Sequence, residues 1–230
     1  MGGLAFDESI GGSPFSITEL IDRLMSNKDD IDAYAKSLDD RIWITKGSRF
    51  NAARRLNNKY QFSITSISIL SIYGISIPII QGIVDYSECP RINEIYTAVS
   101  IILSIFILVL SLLEGSKNYQ VRAERLYNNA VTLSSLYREF EYLKQCESSD
   151  PEFPKKLYEI SNKYEELIRE CPDNHEQEDY ALFRVQYRKN FNITWIVGIY
   201  VRLKLMVIDY WLYLFVLGIP PIVILLYSSC

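Results

Sequence analysis

The chain has 230 residues, of which 49% are hydrophobic and 23% are charged, and its formal net charge is −4. This much charge excludes a simple polytopic transporter, and long uncharged blocks argue against a wholly soluble protein. The four cysteines are scattered, so neither a zinc site nor a disulfide framework is expected: Cys89, Cys146, Cys171 and Cys230.

The N-terminal part is divided by charge. Residues 1–15 contain five glycines or prolines and are predicted to form a flexible tail. Residues 16–60 are predicted to form acidic and then basic helices, beginning at a capping box, Ser16-Ile-Thr-Glu19. Gly47-Ser48 either kinks the basic helix or separates two pieces. Between residues 41 and 59 there is no acid but six basic residues: Arg41, Lys46, Arg49, Arg54, Arg55 and Lys59.

Two uncharged segments predict a transmembrane hairpin over residues 61–113. Gln61–Val84 has 24 uncharged residues and Ile95–Leu113 has 19. As a helix the first would be about 36 Å long, enough to cross a hydrocarbon core of about 30 Å. Two buried core helices of a soluble protein are the alternative, but core helices seldom run so long without charge. Basic residues flank the outer ends of both spans, so the positive-inside rule places both ends, and the N-terminus, in the cytoplasm.

The second span carries a stripe of hydroxyl groups. At 100° per residue, Thr97, Ser100, Ser104 and Ser111 fall within an arc of roughly 60°. Small hydroxylated residues allow membrane helices to pack closely, which is one interpretation. The other is a polar stripe that faces water in an assembled channel, and such a pore requires several copies of the hairpin.

Residues 114–190 are predicted to form a cytoplasmic helical hairpin. Apolar residues alternate spacings of four and three through Tyr119, Ala123, Leu126, Ala130, Leu133, Tyr137 and Phe140. A short loop ending at Asp150-Pro151 makes the following helix an antiparallel neighbour. This heptad seam either packs against that neighbour or bundles between protomers.

Residues 191–230 are predicted to be a membrane-associated segment. Its apolar part, Leu205–Tyr227, contains Asp209 and a helix-breaking Gly218-Ile-Pro-Pro221. A third span kinked at the prolines is favoured over a half-helix or a segment packed on the bundle.

Residue patterns typical of enzymes are missing from the sequence. His175 is the only histidine, and it lies in a polar stretch that indicates a solvated loop or helix start. There is no glycine-rich phosphate loop and no nucleophile elbow. We therefore expect a protein that is not an enzyme and that uses no cofactor or metal.

The basic run from Thr45 to Lys59, leading into a span with Ser71-Ile-Tyr73, resembles the SLATT family. The resemblance covers roughly residues 30–200. It implies a prokaryotic two-transmembrane protein of conflict systems, proposed to form pores that kill or arrest infected cells. The helical extension after the hairpin is most similar to the branch that travels with reverse transcriptases.

Together these features predict an all-α membrane protein with a cytoplasmic helical domain. Its expected function is that of a homo-oligomeric antiviral effector that permeabilises the inner membrane. The alternative is a non-conducting scaffold that recruits a partner such as a reverse transcriptase or a nucleotide-signalling enzyme. The basic segment would bind either anionic headgroups or nucleic acid.

Overall fold

The computed structural model describes residues 28–84, 90–146 and 150–227, without the side chains of residues 212, 216, 219–221 and 223–227. The predicted tail and the capping box at Ser16 lie outside these ranges. The described residues form six helices: α1 (Lys28–Ile83), α2 (Pro90–Ser116), α3 (Tyr119–Cys146), α4 (Phe153–Glu170), α5 (Gln177–Gln186) and α6 (Trp195–Tyr227).

Helix α1 runs without a break from the acidic segment through the basic one to the end of the first span. Its 56 residues give a length of about 84 Å. The possible break at Gly47-Ser48 is not found, because Gly47 serves tertiary packing. A Cβ added there would lie 2.2 Å from Phe183 Cε2, so the absence of a side chain lets α5 approach α1 closely.

Helices α2 and α3 together run back along α1. They are separated only by Lys117 and Asn118, and Asn118 takes a left-handed conformation with φ 48°, which asparagine tolerates better than most residues. Leu70 and Ile77 of α1 pack with α2, whereas further down Ala52 and Leu56 pack with α3. The hairpin therefore continues from the membrane segment into the polar part of the chain.

The heptad seam of α3 lies in the core of the polar part. Its first members contact α1, and its last member, Phe140, joins a cluster made by α1, α3 and α4. The seam therefore packs against α1 as well as against α4. Tyr137 is only half-buried, and Leu136 and Leu143 are buried in its stead, because the helix turns slightly less per residue than an exact heptad requires.

Helices α5 and α6 complete the molecule on the other side of α1. Trp43 of α1 stacks with Phe191 and meets Phe183 and Tyr187 edge-on. Helix α6 then runs parallel to α1. Its Tyr210 and Tyr213 contact Phe62, and Leu217 reaches the apolar cluster of the membrane hairpin.

The predicted all-α class is confirmed in the part of the chain that the structure describes. Two stretches, Lys28–Ile83 and Pro90–Cys146, contain windows long and apolar enough to cross a membrane, with mean hydropathies of 1.8 and 2.6. Helix α6 remains helical through Gly218-Ile-Pro-Pro221, and the crossing of the membrane by this helix stays a prediction.

Candidate functional site

Charged side chains converge where the membrane hairpin meets the polar helices. Arg55 of α1 donates from Nε to Asp179 Oδ1 at 2.8 Å and from Nη2 to Asp179 Oδ2 at 3.0 Å. The same Nη2 lies 3.0 Å from Glu176 Oε2. Two parallel bonds to one carboxylate are the strongest arrangement available to an arginine, so this contact fixes α5 on α1.

Asp179 also holds the start of α5. Glu176 is the N-cap, and its backbone N–H donates to Asp179 Oδ2 at 2.9 Å, which completes a capping box. The Asp179 side chain is 1% exposed, so its charge depends on these partners. Loss of the contact with Arg55 would weaken the docking and the start of α5 together.

Asp209 brings α6 into the same network. Its Oδ1 accepts a hydrogen bond from Lys59 Nζ at 3.1 Å and lies 3.9 Å from Arg55 Nη1. We call Arg55, Lys59, Glu176, Asp179 and Asp209 the junction network. Burial alone would lower the pKa of Arg55, but the hydrogen bonds and charges of Asp179 and the other two carboxylates raise it above its ordinary value.

A second polar contact joins α2 to α6 one turn closer to the membrane. Tyr213 donates its hydroxyl proton to Glu114 Oε2 at 2.6 Å, and Lys117 Nζ donates to Glu114 Oε1 at 2.5 Å. Glu114 directly follows the uncharged segment of α2 and is buried. The junction network and this contact thus tie both helices of the hairpin to α6, at the end of the hairpin that adjoins the polar helices.

Arg49 lies in a different environment, one and a half turns before Arg55. It is 1% exposed, and Nη1 donates to Asn129 Oδ1, whereas Nε has no partner among the described residues. No carboxylate of the described chain forms an ion pair with Arg49. Burial lowers the pKa of its guanidinium, and the amide oxygen of Asn129 compensates the charge less than a carboxylate would.

The six basic residues therefore do not form one surface. Arg41 and Arg54 are exposed, whereas Lys46 lies over the ring of Tyr137 at 3.5 Å. The other three, Arg49, Arg55 and Lys59, point into the protein. Residues three, four or seven apart share a face of a helix, but successive members of this set are separated by five, three, five, one and four residues, which distributes them around α1. Binding of headgroups or nucleic acid by the exposed members stays a prediction.

The hydroxyl stripe lies along one side of α2. Ser100 is buried, whereas Thr97, Ser104 and Ser111 are exposed in the single chain. Thr97 and Ser104 donate to the carbonyls of Asn93 and Ser100, and Thr97 also accepts from Gln81 Nε2 at 2.9 Å. Backbone bonding of this kind lets a hydroxyl face either lipid or water.

His175 precedes the capping box of α5. Burial, followed by the charge of Arg49, lowers its pKa. Within residues 28–84, 90–146 and 150–227 no three metal-ligating side chains are grouped so that they could hold an ion.

The sequence pattern did not indicate that the carboxylates of the junction network are part of a site. Asp209 stood out only as a flaw in an apolar segment, and Asp179 as one acid in a polar loop. An ionisable residue within an apolar helix normally requires a partner, and this rule could have identified the basic segment of α1 as the partner of Asp209, although no such pairing was predicted from the sequence. Asp179 gave no comparable signal, because Glu-x-x-Asp is an unusual capping box.

A family model for the SMODS and SLOG-associating 2TM effector domain family 5 (SLATT_5) matches residues 31–227. No curated protein and no solved structure matches significantly. The match extends beyond the two spans into α6, and it does not test the expected link to reverse transcriptases. With two apolar helices of spanning length and a match over most of its length, the chain belongs to SLATT family 5, the two-transmembrane effectors of conflict systems.

Proposed function

We propose that this chain is the pore-forming effector of an antiviral defence system. In this proposal several copies assemble in the inner membrane, and a signal that accompanies infection rearranges their cytoplasmic helices. The α1–α2 hairpins then permeabilise the membrane, and the cell dies or stops growing. Membership in an effector family supports the general role, and the mechanism is our proposal.

The continuity of the hairpin is the observation that carries this mechanism. Helix α1 extends unbroken from the polar bundle to the far end of the first span. A rotation of its polar part, before Gln61, therefore also moves its membrane part, after Gln61. The junction network holds α5 and α6 against α1 at the boundary between the two halves. We assign to it the role of a latch that keeps the resting hairpin closed.

The hydroxyl stripe provides the water-facing side of the proposed pore. Ser104 and Ser111 are exposed in the single chain, and Thr97 is exposed although it accepts a hydrogen bond from Gln81 of α1. An assembly of several copies can turn these exposed hydroxyl groups toward its axis. Within the uncharged segment Ile95–Leu113, the other directions around α2 present aliphatic or aromatic side chains, which suit lipid or helix packing. We propose that a co-encoded enzyme, a reverse transcriptase or a nucleotide-signalling enzyme, supplies the trigger.

Ion leak in the Ser104→Leu variant tests the proposal. Expression is induced stepwise in cells loaded with a membrane-potential dye, and insertion and oligomer size are measured in the same membranes. We expect Ser104→Leu to insert and assemble normally but to leave the potential intact. Ile102→Leu, an exposed position on the opposite side of α2, is the matched control and should depolarise cells like the wild type.

Two outcomes would overturn the assignment. Unchanged leak in Ser104→Leu would remove the stripe from the pore lining. A wild-type chain that inserts, assembles and never depolarises the cell under any trigger would favour the non-conducting scaffold.

A further inference from the structure

Among the described residues, the first half of α6 contacts the other helices along one side. Gly198 and Asp209 are buried, and Val201 and Leu205 between them are half-buried. On the opposite side Ile196, Tyr200, Leu203 and Val207 are 57–65% exposed. Their spacings of four, three and four are those of a coiled-coil interface, and we call them the α6 seam.

In the proposed topology the α6 seam lies outside the bilayer, on its cytoplasmic side. Asp209 pairs with Lys59 just before the first span begins, and Phe62 contacts Tyr213, so α6 runs parallel to α1. At 1.5 Å per residue, the seam extends from about 3 Å to about 20 Å below Asp209. Lipid therefore does not cover it, and a contiguous exposed apolar surface of this kind marks a protein interface.

A groove that fits such a seam lies between α1 and α3. Its volume is about 500 Å³. Two alanines form its floor, and the rings of Phe50 and Tyr127, with centroids 5.8 Å apart, form one wall. We call it the alanine groove, and its main lining residues are Phe50, Ala53, Arg54, Ala123, Glu124 and Tyr127.

The two surfaces match in depth and point in opposite directions. Ala53 precedes Lys59 by the same six residues by which Leu203 precedes Asp209, so both lie equally far below the membrane. At 100° per residue, the α1 positions that line the groove and those that contact α6 point roughly 150° apart. A membrane holds all copies at one depth, so a head-to-tail contact of this geometry can repeat from copy to copy and close into a ring.

We propose that the α6 seam of one protomer occupies the alanine groove of a second copy of this chain. The matching depth favours this occupant, and one charge pair is available to it: residues 195–208 contain Arg202 and Lys204 but no acid, and the charged residues of the groove lining are Glu124 and Arg54. Arg202 and Lys204 flank Leu203, and in the proposed register Lys204 pairs with Glu124 when Leu203 enters the groove. The inference deepens the proposed function, since it rests on the membrane placement and supplies the contact that builds the ring.

Cysteine cross-linking in membranes tests the contact. The four native cysteines are replaced by serine, and Leu203→Cys is combined with Tyr127→Cys in the full chain. Because the contact is head-to-tail, oxidation of the double variant should give a ladder of dimers, trimers and larger species. Each single variant should remain monomeric. Leu203→Cys combined with Tyr142→Cys is the matched control, because Tyr142 is equally exposed on α3 but about 22 Å further from the membrane.

Several results would overturn the inference. Dimers of Leu203→Cys alone would show a symmetric contact between two α6 helices. A double variant that gives no ladder, or a control pair that gives an equal one, would also contradict it. A ladder without depolarisation would support the interface and contradict the proposed pore. Depolarisation without a ladder would support the pore and contradict the interface.

The charge pair supplies a second test. Lys204→Glu should reduce the ladder several-fold, because it places two acids together, and Glu124→Lys in the same chain should restore it. A ladder that is unchanged by Lys204→Glu, or not restored in the double charge variant, would contradict the proposed register.

Discussion

Arg49 and Arg55 lie six residues apart on one helix, yet the same substitution by methionine should affect them oppositely. Arg55→Met leaves Asp179 buried with only backbone partners and deprives Asp209 of one cation. Removing one partner of a buried ion pair costs about 3–5 kcal/mol. For a chain of this size each kcal/mol lowers Tm by about 2–4 °C, so we expect a fall of roughly 6–20 °C.

Arg49→Met removes a buried charge that has no carboxylate partner among the described residues. The lost hydrogen bond to Asn129 costs about 1 kcal/mol. Relief from holding an uncompensated guanidinium in the protein interior contributes several kcal/mol in the other direction. We therefore expect Tm to stay unchanged or rise.

Thermal unfolding of the full chain in detergent micelles, followed by circular dichroism, measures both variants. Glu139→Gln is the control, because its pair with Lys163 is about half exposed on both sides and should contribute at most about 1 kcal/mol. Equal losses of Tm in the two methionine variants would refute the distinction between a paired and an unpaired buried arginine.

Three further changes test the packing and the pH response. Gly47→Ala should lower Tm, because overpacking against Phe183 costs about 1–3 kcal/mol and exceeds the gain in helix propensity. Phe183→Leu in the same chain should recover part of the loss. An unchanged Tm in Gly47→Ala would contradict the close approach of the two helices. Because burial lowers the pKa of His175, the unfolded chain binds its proton first as pH falls below 6.5, so stability should be lost between that pH and the lower pKa of the folded state. His175→Gln should therefore lose less Tm than the wild type between about pH 7.5 and about pH 5.5, and equal losses would contradict this. Leu136→Ala should cost about 2–5 kcal/mol and Tyr137→Ala clearly less, and the reverse order would contradict the observed core.

The all-α class and the core of the polar part could be predicted from the sequence, because both depend on the spacing of apolar residues along the chain. Most members of the α3 seam are buried, since polar residues occupy the other faces of the helix and mark the apolar one. The buried face of α3 departs from the predicted positions only after Leu133, where Leu136 is buried instead of Tyr137. The hairpin could likewise be predicted, because uncharged segments of spanning length have few other uses.

The junction network could not be predicted, because it depends on partners far apart in the sequence. Arg49, Arg54 and Arg55 are equivalent as residue types, but one is buried alone, one is exposed and one binds two helices. Gly47 suggested a kink or a break in the helix. In the structure a glycine is required at this position because Phe183, 136 positions further along the chain, packs directly against it. Only the three-dimensional arrangement separates these roles.

The latch is the central claim, and the membrane potential of cells that express Asp209→Asn tests it most directly. Asp209 is buried beside Lys59 and Arg55, and the amide keeps its shape while removing the charge that holds α6 to α1. We predict that Asp209→Asn depolarises cells at an expression level at which the wild type does not, and that adding Ser104→Leu abolishes the effect. An inserted, assembled Asp209→Asn chain that leaves the potential intact would contradict the account.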